Sequence, residues 1–282
     1  MGRCGFISVL AAIALFLPLA VCGQSNCIPV YARTEDDVAY KAGEKLSFKM
    51  HYSWGIINSD IGTGEVSLDT VRFSGVKAFH CRVTGKTARL YDAFFKVRED
   101  FNSWFSCDGL VPLRFTRDTH EGRYVAKNDY NYLWDAPKPY IDARIFTSGQ
   151  GDVIRQLPLK PCTFDLPSLF FFARNIDMSR VQPDIKYPMT FAIDDDIYDV
   201  YFIYRGKCTK KVKGLGTVKC LRFAAKLLEG AVFNGDADID IYISDDLNRL
   251  PVLFGAPIKY GSVEGRMMAY SSLKYPFSSL VD

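Results

Sequence analysis

LSFKMHYSW, residues 46–54, alternates without a break: Leu46, Phe48, Met50, Tyr52 and Trp54 fall on one face, and Ser47, Lys49, His51 and Ser53 on the other. A period of two is what a β-strand buried on one side requires. A helix would scatter the same side chains around its circumference. This stretch decides the fold class because its pattern recurs along the chain, whereas long helical stripes do not.

Working outward, GEVSLDTVRF (64–73) continues as a second strand, with Gly62 and Gly64 expected to mark the turn before it. AFHCRVTGK (78–86) turns Phe79, Cys81 and Val83 inward. FFKVREDFNSWF and LVPLRFTRD flank Cys107-Asp108-Gly109, and Asp-Gly is a strong hairpin signal. GRYVAKNDYNYLW places Tyr124, Ala126, Asn128, Tyr130, Tyr132 and Trp134 on one face. PMTFAI and IYDVYFIY surround a turn at Asp194-Asp195-Asp196. A hairpin at Lys213–Gly216, DADIDIYI, LPVLF and a last strand near GRMMAYSSL complete the series. One segment breaks the rhythm. In FDLPSLFFFARNIDM, Asp165 is a candidate N-cap and Pro167 sits near the first turn, so a short helix is expected over roughly 166–175. The fold class expected is all-β: an antiparallel, strongly curved sheet or incomplete barrel with one short central helix.

Residues 1–23 read as a secretory signal peptide: Arg3, an apolar run from Phe6 to about Ala20, then small residues before Gln24. Cleavage after Gly23 is the first expectation. The rival is lipidation at Cys22 after Leu19-Ala20-Val21, although valine is larger than the residue such a peptidase usually takes. Residues 24–282 are then one β-rich domain, exported to the periplasm or outer envelope. No later apolar stretch reaches the ~18 residues a spanning helix needs, so no transmembrane span is expected in the mature chain. A net charge of +3 and the lack of Lys/Arg blocks beyond runs such as Lys210-Lys211 argue against a nucleic-acid partner. Outside the leader lie Cys27, Cys81, Cys107, Cys162, Cys208 and Cys220, too sparse for a disulfide scaffold. Cys208 and Cys220 are symmetric about Gly214 in KCTKKVKGLGTVKC. In a hairpin they would face each other, and a non-hydrogen-bonded pair would bring them within bridging distance; the alternative is two free or buried thiols.

Several stretches together resemble an uncharacterised bacterial family, the domain of unknown function 3108. They are GEKLSFKMHYSWGIINSDIGTGEVSL, KVREDFNSWFSCDGLVPLRFTRDTHEG, DLPSLFFFAR ending at Arg174, GLGTVKCLRF and ISDDLNRLPV. The resemblance spans about residues 40–275, and the overall style is similar to exported proteins of the Bacteroides group. It implies an exported, β-rich envelope protein and transfers no catalytic residue.

Chemical motifs are few. GDADIDIYISDD (235–246) carries acids at the first three ligand positions of an EF-hand, but Ile241 replaces the required Gly and Leu247 the required Glu. As a strand it has an isoleucine face and an aspartate face, with Asp236, Asp238 and Asp240 expected opposite Lys210, Lys211, Arg222 or Lys226. No metal site, cofactor or catalytic residue is expected there. His51, His80 and His120 make no zinc motif, and no Gly-x-Ser-x-Gly elbow is present. Glu99 shares a strand face with Phe95, Val97 and Phe101, so it needs a partner such as Arg114 or Arg117, or a bulge that turns it out. Phe48, Tyr52 and Trp54, with Tyr130, Tyr132 and Trp134, form a candidate apolar ligand face or simply a packed core. The function expected is a non-enzymatic envelope protein binding a lipid, an amphiphile or an envelope partner. The alternatives are a glycan or lipid hydrolase with paired carboxylates among Glu99, Asp100 and the 236–246 aspartates, and a scaffold subunit.

Overall fold

The computed structural model describes residues 34–226, 238–257 and 261–281. The expected leader, Cys22, Cys27 and Asp236 lie outside the described residues.

β1 (Lys45–Trp54), β2 (Ile57–Phe73) and β3 (Val76–Thr87) lead through a one-turn helix, α1 (Arg89–Asp92), into β4 (Val97–Ser106) and β5 (Pro112–Glu121). β6 (Tyr124–Leu133), β7 (Tyr140–Thr147) and β8 (Gly151–Pro158) continue the meander. A short β9 (Thr163–Phe164) and helix α2 (Leu166–Ala173) follow. β10 (Lys186–Ile193), β11 (Asp196–Val212), β12 (Gly216–Lys226), β13 (Asp238–Ser244), β14 (Pro251–Pro257) and β15 (Ser262–Ser271) form the second meander.

The fifteen strands of the described residues make one sheet in the order β8-β7-β6-β5-β4-β3-β2-β1-β15-β14-β13-β12-β11-β10-β9. The two meanders join where β1 pairs with β15, and β9 adds the parallel edge. A twisted sheet much beyond ~10 strands curls. Here the curl stops short of a barrel, because the edges β8 and β9 do not pair. Side chains bridge the gap instead. Ala192 and Ile197 of the β10–β11 hairpin pack with Tyr130, Ile141 and Leu157 of β6–β8. The Tyr130 hydroxyl donates to the Asp194 carbonyl at the hairpin turn.

The inner face holds the main core: Leu46, Phe48, Val66, Leu68, Phe79 and Cys81 pack with Phe171 and Phe172 of α2. The helix begins as the sequence predicts. Asp165 accepts from the Ser168 amide while the Ser168 hydroxyl accepts from the Asp165 amide, a reciprocal cap. It ends at Ala173, slightly before the expected 175.

Two expectations are corrected. Gly62 and Gly64 lie inside β2, and the turn is at Gly55-Ile56. Gly62 marks a close approach: a Cβ there would sit 2.5 Å from the Lys86 carbonyl oxygen, and the β1–β2 register shifts beside it. Cys208 and Cys220 do face each other, yet both thiols are free. The pair type is the reason. Lys219 donates its amide to Ser279, and its carbonyl accepts from Asp245, so both groups point away from β11. The adjacent Cys220 therefore exchanges hydrogen bonds with β11, so its side chain stands farther from that of Cys208 than in the non-hydrogen-bonded pair the bridge was expected to use. Burial pushes the Cys220 thiol up to about 12, with Cys208 beside it a smaller cause, and Cys220 donates to the Val218 carbonyl.

Candidate functional site

The two ends of the curl differ. At one end α2 and the segment Val38–Tyr40 fill the interior. There Arg174 and Glu44, each only 1% exposed, form an ion pair with Nη1–Oε1 at 2.5 Å and Nη2–Oε2 at 3.0 Å. Arg174 also donates to the Asn248 carbonyl through Nε and Nη2. Its guanidinium lies 5.1 Å from the Tyr40 ring centre and 5.3 Å from that of Phe171. Every charged atom is matched, as burial demands. Next to it, Asp246 accepts from Ser244, from the Asn248 amide and from both the amide and the hydroxyl of Ser279. Glu44, Arg174 and Asn248 come from three separate family-like motifs, GEKL, FFFAR and SDDLNRL. They meet to lock the fold.

Asp165 is buried on the same interior and also bonds the Tyr132 hydroxyl at 3.2 Å. Burial raises its carboxyl to about 6, and the Ser168, Ser103 and Tyr132 contacts hold it from rising further.

The other end is open. Met50, Val83, Phe101, Ile239, Ile241 and Phe254 face inward by strand parity yet stay half-exposed. Gly64 and Gly85 sit side by side in register, next to Glu99, and leave a strip of inner wall without side chains. A Cβ on Gly64 would meet only ordinary contacts at 3.6 and 3.8 Å. Glu99 lies at the border of this strip. It accepts from the Thr119 hydroxyl at 2.5 Å; Thr119 accepts from Arg117 Nε at 2.8 Å; Arg117 Nη1 donates to Asp194 at 2.9 Å. Burial pushes the Glu99 carboxyl up to about 7, Thr119 opposes the rise, and the nearby Glu121 carboxyl adds to it. Beside Arg117 in register, Asn128 is 2% exposed, and neither its amide nitrogen nor its oxygen has a partner among the described residues. Unmatched buried carboxamides are costly, so this one stands out. Chemically, this corner offers a carboxyl with raised proton affinity, an amide unpartnered among the described residues and an apolar wall.

The outer face of β2–β5 carries a groove of about 360 Å³ lined by Thr63, Glu65, Thr84, Lys86, Asp100 and Asp118, among others. It arises where short threonines stand between long charged side chains. Asp100 is held by Arg82, and Asp118 lies 3.0 Å from His120 and 3.5 Å from Lys127, so it reads as a solvated polar surface.

Arg117, rather than Arg114, is the arginine near Glu99; Arg114 points outward to Asp129. Asp100 falls on the face opposite Glu99, so these two carboxylates do not meet. Asp240 accepts from Arg222 Nε and Nη2 at 3.0 and 2.9 Å, and Asp238 lies opposite Lys226. Asp245 pairs with Lys207 and Arg249. No group of potential metal ligands assembles among the described residues. The six aromatics of the candidate ligand face separate. Phe48 is buried against Phe254 with ring centres at 5.9 Å. Tyr130 and Tyr132 pack in the second core, with Trp134 stacked on Tyr132 and its Nε1 bonded to Pro112. Tyr52 and Trp54 run out to the open end. Each histidine has a polar neighbour: His51 contacts Asp60 and Asn58, His80 contacts Asn102, and His120 contacts Asp118. Thr119, Asp194 and Glu121 escaped sequence reading. Asn128 left a trace, as the one amide among the aromatics of its strand face.

An unclosed antiparallel sheet curled around an internal helix defines a β-barrel-like protein. The same architecture occurs in the crystal structure of a β-barrel-like protein of domain of unknown function DUF1849 from Brucella abortus, at a TM-score of 0.54 and 11% identity, covering 86% of this chain and 100% of that one. Such distance carries the fold alone. The chain itself belongs to the DUF3108 family, described as proteins of unknown function, whose profile matches residues 47–268. No curated protein matches the sequence. No helix among the described residues is long and apolar enough to cross a membrane.

Proposed function

We propose that this chain is an exported envelope protein that binds an amphiphilic ligand on the inner wall of its open end, without turning it over. The observation that carries this reading is the pairing of a half-exposed apolar inner wall with the polar corner where the raised carboxyl of Glu99 adjoins the Asn128 carboxamide, unpartnered among the described residues. An apolar surface with a few convergent polar groups is the usual composition of a small-molecule site. A ligand tail would cover Met50, Val83, Ile241 and Phe254 over the Gly64–Gly85 strip. Its head group would meet the carboxyl of Glu99, beside the buried carboxamide of Asn128. Export is supported by Arg3 and the apolar run that follows it.

Native mass spectrometry of protein purified from its own envelope tests this. The expected result is a co-purified amphiphile that Gly64→Leu displaces. Gly64 has no positive φ and has room for a Cβ, so the substitution starts a side chain over the strip without a backbone clash. Bare polypeptide from wild type and variant alike would count against the reading.

A hydrolase is favoured by one observation, the Glu99–Glu121 carboxyl pair with Glu99 raised to about 7, the range suited to a general acid. Hydrolysis of envelope glycans or esters that vanishes in Glu99→Gln would select it over simple binding.

A further inference from the structure

The rim of the open end carries a feature that does not depend on what the interior holds. Three turns project there: the β1–β2 tip at Gly55-Ile56, the β3–β4 connection (88–96) and the β5–β6 tip at Gly122-Arg123. They form one surface. The Tyr91 hydroxyl donates to Ser59 at 2.6 Å, tying the β3–β4 connection to the start of β2. A Cβ on Gly122 would lie 3.1 Å from the Phe95 ring, so the third turn touches the second.

Large apolar side chains stand in solvent on these turns. Ile56 is fully exposed, Phe94 is 85% and Leu90 74% exposed, and Phe95 and Trp54 are about half-exposed. A cluster of this kind, edged by charge, marks an interaction surface. The charges are one-sided in their availability. Lys86, Arg89, Lys96 and Arg123 are exposed. Of the nearby acids, Asp92 is held by Arg98 and Thr87 at 2.6 and 2.5 Å and Asp60 by Arg266 at 2.5 Å, while Glu121 at the base of the third turn is half-buried beside Glu99.

We infer that this rim docks on an anionic lipid surface, with Ile56, Phe94 and Phe95 entering the interfacial layer and Arg89, Lys96 and Arg123 meeting the headgroup phosphates. Aromatic and aliphatic tips backed by cations suit that layer, where apolar bodies bury and charged ends stay wet. Charge complementarity selects lipid over a second copy of the chain. A two-fold contact through this rim would set each cation against cations of the same patch.

Trp54 supplies the test. None of the chain's three tryptophans lies within residues 1–23, so its signal reports the rim and not the N-terminal apolar run. The purified chain is mixed with vesicles of phosphatidylglycerol and phosphatidylcholine in equal parts, and with pure phosphatidylcholine. The expected result is a blue shift and quenching by brominated acyl chains on the anionic vesicles, absent in Trp54→Phe and weakened by salt. Ile56→Ser with Phe94→Ser should weaken partitioning about tenfold or more. Arg89→Gln with Lys96→Gln should weaken it about tenfold on anionic vesicles only. All four positions are exposed, where substitutions leave folding intact. An unshifted, unquenched Trp54, equal partitioning of variants and wild type, or Phe94-dependent self-association without lipid would each overturn the inference.

Discussion

Glu44 and Glu99 are the same residue type, both withdrawn from water inside the same curled sheet, and they do opposite things. Glu44 meets a guanidinium through both oxygens, and its partner is itself fully matched. Glu99 has one hydroxyl donor, an arginine already committed to Asp194, and a second carboxyl nearby. The first is architecture: its charge is neutralised before any ligand arrives. The second is left receptive, and the cost shows in its raised affinity for a proton. What separates a lock from a site here is the count of partners, not the burial of the acid.

The comparison breaks most visibly at Arg174. Arg174→Met strands the Glu44 carboxylate, and a loss of about 3–5 kcal/mol is expected in chemical denaturation. The double variant with Glu44→Leu should recover much of it, because two apolar residues leave no charge behind. Asp165→Ala, which removes the cap of α2, should cost about 1–2 kcal/mol by the same measurement. Glu99→Gln should act in the other direction. At pH 8 it is expected to stabilise by roughly 1 kcal/mol, a share discounted for partial solvent screening, and at pH 5 to change little. Asp240→Asn, which frees Arg222 on the outer face, should stay within about 0.5 kcal/mol.

The pH dependence sharpens the same contrast. Asp165 and Glu99 hold protons in the folded chain at pH values where the unfolded chain has released them, with folded values of about 6 and about 7. A folded state that binds more protons loses stability as pH rises. Denaturation midpoints should therefore fall between about pH 4 and pH 7, most of all in this window, and Glu99→Gln should flatten its upper part. Asp92, held down to about 2 by Arg98 and Thr87, works in the opposite sense and only below about pH 4.

Much of the fold was legible because the alternation of β1, β3 and β6 is strict and the hairpin turns carry Asp, Gly or both. β7 and β8 passed unread between a proline-rich stretch and a short loop, although Ile141, Ala143 and Ile145 do alternate. The site was less legible for a physical reason. Glu99 announced itself as a carboxylate on an apolar face, but its surroundings come from β5, β6 and the β10–β11 turn. Only the curl of the sheet carries Asp194 across to Arg117. The aspartate run of 235–246 drew attention by composition, and the described part dissolves into ordinary pairs and a structural turn. Cys208 and Cys220 show the limit of symmetry arguments: position predicts who faces whom, while the direction of the neighbouring amides decides how far apart they stand.

The most direct test is a carbon-13 NMR titration of glutamate-labelled protein, with the Glu99 carboxyl assigned by the Glu99→Gln variant. A midpoint near 7 is predicted for Glu99, moving when the interior is occupied by a ligand. A midpoint in the ordinary carboxylate range would contradict the account, because Glu99 would then be as well matched as any surface acid.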